Sequence, residues 1–151
     1  MKGWLLDTNV VSETVRPRPE LRVLAWLGRC PPERTFISIL TLAELEQGIE
    51  ALPVGDPRRD RLRRFANRIE AEFVGRILPL DDAIVRLTGR ISGRYQARYG
   101  GKAPTIDAML AATAELHQLR VASRNVRHLQ PLGAIVFNPW TDDPEDNSAP
   151  R

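Results

Sequence analysis

Short apolar segments alternate with longer stretches of helical periodicity along most of the chain, and this alternation restricts the fold more than any other feature. Five segments have the length and composition of buried strands: 3–6, 35–39, 76–80, 120–123 and 134–137. Helices are predicted between them, near 20–29, 41–52, 58–75, 81–99 and 105–118, with shorter helical turns after Thr8 and Asn125. Strands that alternate with such helices are typical of βαβ units. The sequence therefore predicts an α/β fold built on a parallel sheet.

The length of 151 residues suits one globular domain with a substantial core. A single cysteine, Cys30, excludes an internal disulfide, and the N-terminus lacks the features of a secretory signal. No apolar run approaches the roughly 20 residues that span a bilayer. We therefore expect a cytoplasmic protein with one domain over 1–140. The acidic segment 141–151 has little apolar content, so we expect it to be a disordered tail.

Arginine dominates the basic residues, providing 20 of the 22. Since four acids lie in the last eleven residues, the first 140 residues are more basic than the net charge of +3 indicates. Arginine binds phosphate through two parallel hydrogen bonds, so a polyanionic partner is one explanation, and arginine-rich codon usage is an equally good one. For the densest arginine run, on the predicted helix 58–75, a solvated charged face is the default interpretation.

Three carboxylates occupy positions that point to a shared site. Asp7 follows the first strand, Glu44 lies in the first turn of the helix after the second strand, and Asp107 lies in the first turn of the helix before the fourth. Loops after strand ends gather along one edge of a doubly wound sheet, so the three acids meet there if the first strand lies between the second and the fourth. Ordinary explanations exist, because Thr41 and Glu44 have the spacing of a capping box and Asp107 suits a helix dipole. Asp7 is harder to explain in this way, since an ionised carboxylate is costly to bury without a partner.

Three converging acids would repel one another and raise each other's pKa unless a cation joined them. Mg²⁺ and Mn²⁺ prefer oxygen ligands, whereas the two histidines, His117 and His128, are too few and poorly spaced for a zinc site. A carboxylate-held Mg²⁺ can polarise a phosphate oxygen and lower the pKa of a water that attacks phosphorus. A basic domain with an acidic metal pocket therefore indicates a nuclease.

Four segments together resemble the PIN-domain ribonucleases, and especially the toxins of VapBC and FitAB-type toxin–antitoxin modules. The segments are LLDTNVVSE, ISILTLAELEQGIEAL, TIDAMLAATAELHQL and VASRNVRHLQPLGAIVFNPW, and the resemblance covers residues 1 to about 140. It implies a three-layer α/β/α sandwich with strand order 3-2-1-4-5. It also implies a Mg²⁺- or Mn²⁺-dependent endoribonuclease whose catalytic and metal-binding acids are Asp7, Glu44 and Asp107. An antitoxin that blocks the pocket is the implied protein partner, and a homodimer is common among such toxins.

The resemblance gives supporting roles to Thr8, Asn9 and Ser38, whose polar groups would orient the first acid or its water. Turn and cap hydrogen bonds explain these three residues equally well. One departure concerns the segment after the fourth strand, where many relatives carry a further acid in a pattern like T-x-D/N-x-x-D-F. Here Asn125 offers only a neutral oxygen and His128 replaces the acid. We therefore predict one well-held ion.

Arg124 and Arg127 follow the strand end where the acids are expected to gather, so we predict that they contact RNA phosphates. His128 is a further candidate for RNA contact, although a surface residue is the more common outcome for such a histidine.

A nuclease-like domain that only binds RNA or an antitoxin is the main alternative function. A flavodoxin-like ligand domain is disfavoured because no glycine-rich phosphate loop follows the first strand. Helices 20–29 and 41–52 are candidates for the antitoxin groove, with core packing as the competing explanation.

Overall fold

A computed structural model describes residues 2–144, in which strands and helices alternate along the chain. The strands are β1 (Gly3–Leu6), β2 (Thr35–Ser38), β3 (Ile77–Leu78), β4 (Leu119–Ala122) and β5 (Val136–Phe137). The helices are α1 (Thr8–Glu13), α2 (Leu21–Arg29), α3 (Ile39–Glu50), α4 (Pro57–Glu72), α5 (Asp82–Tyr99), α6 (Thr105–His117) and α7 (Val126–Leu129). Two 3₁₀ turns, Pro32–Arg34 and Gln130–Leu132, precede β2 and follow α7.

The strands form one parallel sheet in the order β3-β2-β1-β4-β5. Leu5 of β1 pairs with Phe36 of β2 on one side and with Val121 of β4 on the other. The predicted parallel sheet and its strand order are confirmed. The central position of β1 places Asp7 between the ends of β2 and β4, where the strand order reverses and ligands bind in sheets of this kind.

Helices cover both faces of the sheet, because successive residues of a strand point to opposite sides. Leu6 packs in one cluster with Trp26 of α2 and Phe65 of α4. Leu5 packs on the other face with Leu110 of α6, and α5 in turn packs against α6. Full burial of each such side chain contributes about 1.5–3 kcal/mol. The three-layer α/β/α sandwich is therefore confirmed.

The ends of several elements follow from local hydrogen bonds. The Asp81 carboxylate accepts a hydrogen bond from the Ile84 N–H at 2.9 Å and so caps the start of α5. Gly100 ends α5 with a φ of 77°, a left-handed conformation that glycine adopts without strain. The outer strands β3 and β5 have only two residues each, so the predicted strands 76–80 and 134–137 are shortened at both margins of the sheet.

The beginning of the predicted tail is bound to the domain. The Arg22 guanidinium donates to the carbonyl oxygens of Thr141 and Asp142 at 3.1 and 2.7 Å. The Asp142 carboxylate accepts a hydrogen bond from the Asn138 N–H at 2.7 Å, so predicted disorder does not hold for residues 141 and 142. Residues 145–151 lie outside the described part of the chain, and their disorder stays a prediction. Within residues 2–144, no helix has the length and apolarity needed to cross a membrane.

Candidate active site

Asp7 lies directly after β1 and is the N-cap of α1. The residue is only 7% exposed, and its carboxylate is hydrogen-bonded: Oδ1 accepts from the Thr8 N–H at 2.8 Å. The backbone N–H of Asp7 donates to the carbonyl oxygen of Ala122, the last residue of β4, at 3.0 Å. The carboxylate is therefore fixed at the junction of the two central strands.

Ser123 and Asn9 hold the second oxygen of Asp7. The buried Ser123 hydroxyl donates to Asp7 Oδ2 at 2.6 Å, and the Asn9 side-chain amide donates to the same oxygen at 3.1 Å. Ser123 Oγ also accepts from the Asn125 N–H at 2.9 Å, which places Asn125 beside this network. Ser123 is not among the site residues predicted from the sequence. Its signal is the hydroxyl position that opens the T-x-D/N pattern after the fourth strand.

Ser38 acts as a helix cap in the structure. Its hydroxyl accepts a hydrogen bond from the Leu40 N–H at 3.2 Å, so α3 begins at Ile39, two residues before the predicted start of the helix. The predicted capping box of Thr41 and Glu44 is therefore wrong. Since Glu44 has no capping role, its carboxylate is available for another purpose.

Thr8 connects α1 to the helix that carries Glu44. The Thr8 hydroxyl donates to the Thr41 hydroxyl at 3.1 Å, and its interaction with the Glu44 carboxylate lowers the pKa of that group. Glu44 itself is exposed at the edge of the sheet. This contact keeps the Glu44 side chain on the same side of the molecule as Asp7.

Asp107 is the third residue of α6, and its side chain is 20% exposed. Its Oδ2 lies 3.7 Å from Nδ1 of His128, whose side chain is 64% exposed. His128, which stands where many relatives carry a fourth acid, therefore places its imidazole next to Asp107. A protonated ring there would attract the Asp107 carboxylate, whereas an acid would repel it.

The three acids share one electrostatic environment. Burial raises the pKa of Asp7 against the lowering effect of its hydrogen bonds, and the charge of Asp107 raises this pKa further. Although Glu44 is exposed, partial removal of its carboxylate from water raises its pKa, and the charges of Asp7 and Asp107 raise it further. Burial also raises the pKa of Asp107, while His128 lowers it. The structure thus brings the three predicted acids together, close enough for their charges to interact.

The chemistry of this cluster suits a hard divalent cation. Its donors are carboxylate oxygens, and a positive charge would relieve the repulsion that raises their pKa values. Among residues 2–144, no three Asp, Glu, His or Cys side chains stand close enough to enclose a metal ion as they are placed. The three acids therefore interact through their charges without enclosing a ready-made metal site.

The predicted RNA-binding residues lie on the segment that follows β4. Arg124, Arg127 and His128 are all exposed. The Arg124 N–H donates to Asn9 Oδ1 at 3.3 Å, so this residue adjoins the hydrogen-bond network of Asp7. His128 reaches the cluster through Asp107.

Comparison with known proteins agrees with this architecture. The PIN domain model matches residues 4–131. The chain is 38% identical over 138 residues to toxin FitB of Neisseria gonorrhoeae, with 91% of this chain and 99% of that protein covered. It is 36% identical over 141 residues to VapC ribonuclease Y4jK of Sinorhizobium fredii, with 90% and 96% covered. The crystal structure of FitAcB from Neisseria gonorrhoeae superposes with a TM-score of 0.81 at 38% identity, covering 91% of this chain and 98% of that one. The sheet order, the acids at its edge and these relatives show that the chain belongs to the PIN-domain family.

Proposed function

We propose that the protein is a Mg²⁺- or Mn²⁺-dependent endoribonuclease that acts as the toxin of a type II toxin–antitoxin module. The observation that carries this proposal is the cluster of Asp7, Glu44 and Asp107, whose pKa values are all raised, at the edge where the strand order reverses. The names of two relatives support it, since one is a toxin and the other a ribonuclease.

Asp7, Glu44 and Asp107 would hold the ion. A bound Mg²⁺ or Mn²⁺ would supply Lewis acidity toward a phosphate oxygen and a water of lowered pKa. The chain's own contribution is to keep the Asp7 carboxylate ionised and oriented. Hydrogen bonds to a carboxylate favour its ionised form, and Asp7 accepts three of them. Such supporting contacts around a metal ligand are worth about 10- to 100-fold in affinity or activity.

The segment after β4 supports one well-held ion. Asn125 contributes a neutral side chain beside Ser123, and His128 stands against Asp107 in place of a further acid. With fewer negative charges on this side, a second ion would be bound more weakly than the first. His128 also motivates the alternative function, a PIN-like module that binds RNA or an antitoxin with weak or no catalysis.

RNA and an antitoxin are the proposed partners. Arg124 and Arg127 would contact phosphates and position the strand without reading its sequence. For the antitoxin, the structure offers an apolar groove of about 340 Å³ between α2 and α4, lined by residues such as Leu27 and Ile69. Trp26 of the predicted groove helix is instead buried in the core. Homodimer formation remains a prediction.

The test is RNA cleavage by protein purified free of any antitoxin, with Mg²⁺, with Mn²⁺ and with EDTA. Asp7→Asn and Asp107→Asn are prepared in parallel by the same procedure. Cleavage that requires the metal and is lost in both variants would support the proposal. Equal cleavage by wild type and variants would reveal a contaminating nuclease, and no cleavage by any of them would favour the binding module.

A further inference from the structure

A polar cleft of about 440 Å³ is lined in part by Arg124, whose backbone adjoins the hydrogen-bond network of Asp7. Three arginines, Arg16, Arg18 and Arg124, line it together with Trp140, and Glu13 lies among them. We propose that this cleft binds the phosphate backbone of the RNA strand held at the carboxylate cluster, and that Glu13 is the positioning residue for Arg16 and Arg124. The inference rests on the proposed function, because it assigns a further part of the same substrate's binding surface.

Glu13 is buried beneath the arginines that it contacts. Its Oε2 lies 3.3 Å from Arg16 Nη1 and 3.7 Å from Arg124 Nη2, and the side chain is 4% exposed, whereas those of Arg16 and Arg124 are 55% and 46% exposed. The Glu13 Oε1 atom accepts a hydrogen bond from the Glu20 N–H at 2.8 Å. Each guanidinium has five N–H donors, so one contact with Glu13 leaves others free for a phosphate. The buried charge therefore orients the arginines without covering them.

The segment Arg16-Pro17-Arg18-Pro19 presents two of the arginines on a stiff backbone. Proline fixes its own φ and restricts the residue before it, and both arginines directly precede a proline. Arg16 and Arg18 are exposed, and less conformational entropy is lost on binding from a segment that is already restricted. This arrangement favours a site prepared for an anionic ligand over a mobile charged loop.

Arg124 joins the cleft to the carboxylate cluster. Its guanidinium carbon lies 4.2 Å from the ring centroid of Trp140, a cation–π contact that holds the planar group in place. Its backbone N–H donates to Asn9, whose amide in turn donates to Asp7. A strand that places a phosphate at Asp7 therefore passes Arg124. Glu20 on the rim is the second acid of the lining, and the three arginines outnumber the two acids.

An acidic segment of the antitoxin is the other ligand that arginines could bind. The direct connection between Arg124 and the network of Asp7 favours RNA, because an RNA strand extends beyond the phosphate held at the cluster, whereas an antitoxin can block the pocket without entering the cleft.

The inference is tested by binding a fluorescein-labelled single-stranded RNA to the Asp7→Asn protein, which keeps the probe intact. In that background, the Arg16→Gln/Arg18→Gln double variant should bind about fivefold more weakly for each arginine removed. The slope of log affinity against log salt should fall by about 0.7 for each phosphate that an arginine no longer neutralises. The matched control, Arg58→Gln/Arg63→Gln, removes the same charge from α4 and should leave affinity and slope near those of the parent.

Glu13→Gln in the otherwise wild-type protein tests positioning. It should raise the KM for RNA and leave kcat unchanged, since Glu13 does not touch the reacting phosphate, and Glu13→Asp should recover part of the loss. Unchanged RNA affinity and salt slope in the Arg16→Gln/Arg18→Gln variant would overturn the inference, as would weaker antitoxin binding combined with normal RNA binding. If wild type failed to cleave RNA while the double variant still lost RNA binding, the proposed catalysis would fall and the cleft assignment would stand.

Discussion

The two ends of α1 carry buried carboxylates with very different surroundings. Asp7, directly before the first residue of the helix, accepts hydrogen bonds from three neutral donors. Burial raises its pKa most, and the charge of Asp107 raises it further. Glu13, the last residue, lies against Arg16 and Arg124. The chain therefore compensates the charge of Glu13 itself and leaves the charge of Asp7 uncompensated.

This difference shows that burial alone does not identify a catalytic acid. A buried carboxylate that faces arginines is satisfied within the fold, and removing it leaves cations without a partner. A buried carboxylate that faces other carboxylates is stabilised by a cation from outside the chain. This contrast supports Asp7 as a member of the proposed metal site and Glu13 as a residue that positions arginines.

The largest expected effect is on the rate of RNA cleavage, which should fall when Asp7 is replaced but not when Glu13 is. Asp7→Asn should lower kcat for metal-dependent RNA cleavage by about 1000-fold or more, because several kcal/mol of charge stabilisation depend on the ion that Asp7 would hold. Glu13→Gln should keep the wild-type kcat. Single-turnover cleavage at saturating RNA measures both, and similar losses in the two variants would break the contrast.

The next effect separates buried from exposed acids by stability. Glu13→Ala should lower the free energy of unfolding by about 2–3 kcal/mol, because the Glu20 N–H loses its acceptor and the arginines lose their partner. Glu46→Ala is the matched control, since Glu46 is exposed and pairs with Arg63, and it should change stability far less than Glu13→Ala. Urea denaturation measures both values. A loss at Glu13 no larger than that at Glu46 would remove its structural role.

A smaller effect concerns pH in metal-free buffer. The pKa of Asp7 in the folded protein is raised above 3.8, so between that value and the raised pKa the folded state binds more protons than the unfolded state. The stability contributed by this proton is complete below pH 3.8 and is lost as the pH rises through the raised pKa. Tm measured against pH in EDTA should therefore decline less in Asp7→Asn than in wild type over this range. Parallel curves would contradict an uncompensated charge at Asp7.

The smallest effect compares arginines. Arg63→Gln breaks an exposed ion pair between α4 and α3, which solvent screens, and should have little effect on stability. Arg16→Gln removes the nearer cation from buried Glu13 and should cost more, about 1 kcal/mol. Thermal denaturation at low and high salt measures the stability loss of each variant. A larger loss for Arg63→Gln than for Arg16→Gln would show that burial of the paired acid does not determine the cost.

The sequence predicts the central features of this fold because they depend on local patterns. Alternating apolar runs place β1, β2 and β4 within one residue of their observed bounds. The start of α3 is mispredicted because Ser38 and Thr41 are both suitable caps, and only the packing of the buried Thr41 decides between them. Local sequence cannot rank two such candidates.

The site is predicted in part for a similar reason. Asp7, Glu44 and Asp107 stand at recognisable places relative to the elements, so their common edge can be anticipated. The hydrogen bond between Ser123 and Asp7 and the pairing of Glu13 with Arg124 are not predicted, because both are side-chain contacts between residues more than 100 positions apart. Such contacts exist only after β1 and β4 have paired.

The brevity of β3 and β5 has a consequence for behaviour at high concentration. A sheet invites edge-to-edge aggregation through the unpaired N–H and C=O groups of its outermost strands, and here each of those strands supplies only two residues. Neighbouring molecules would find little template for intermolecular strand addition.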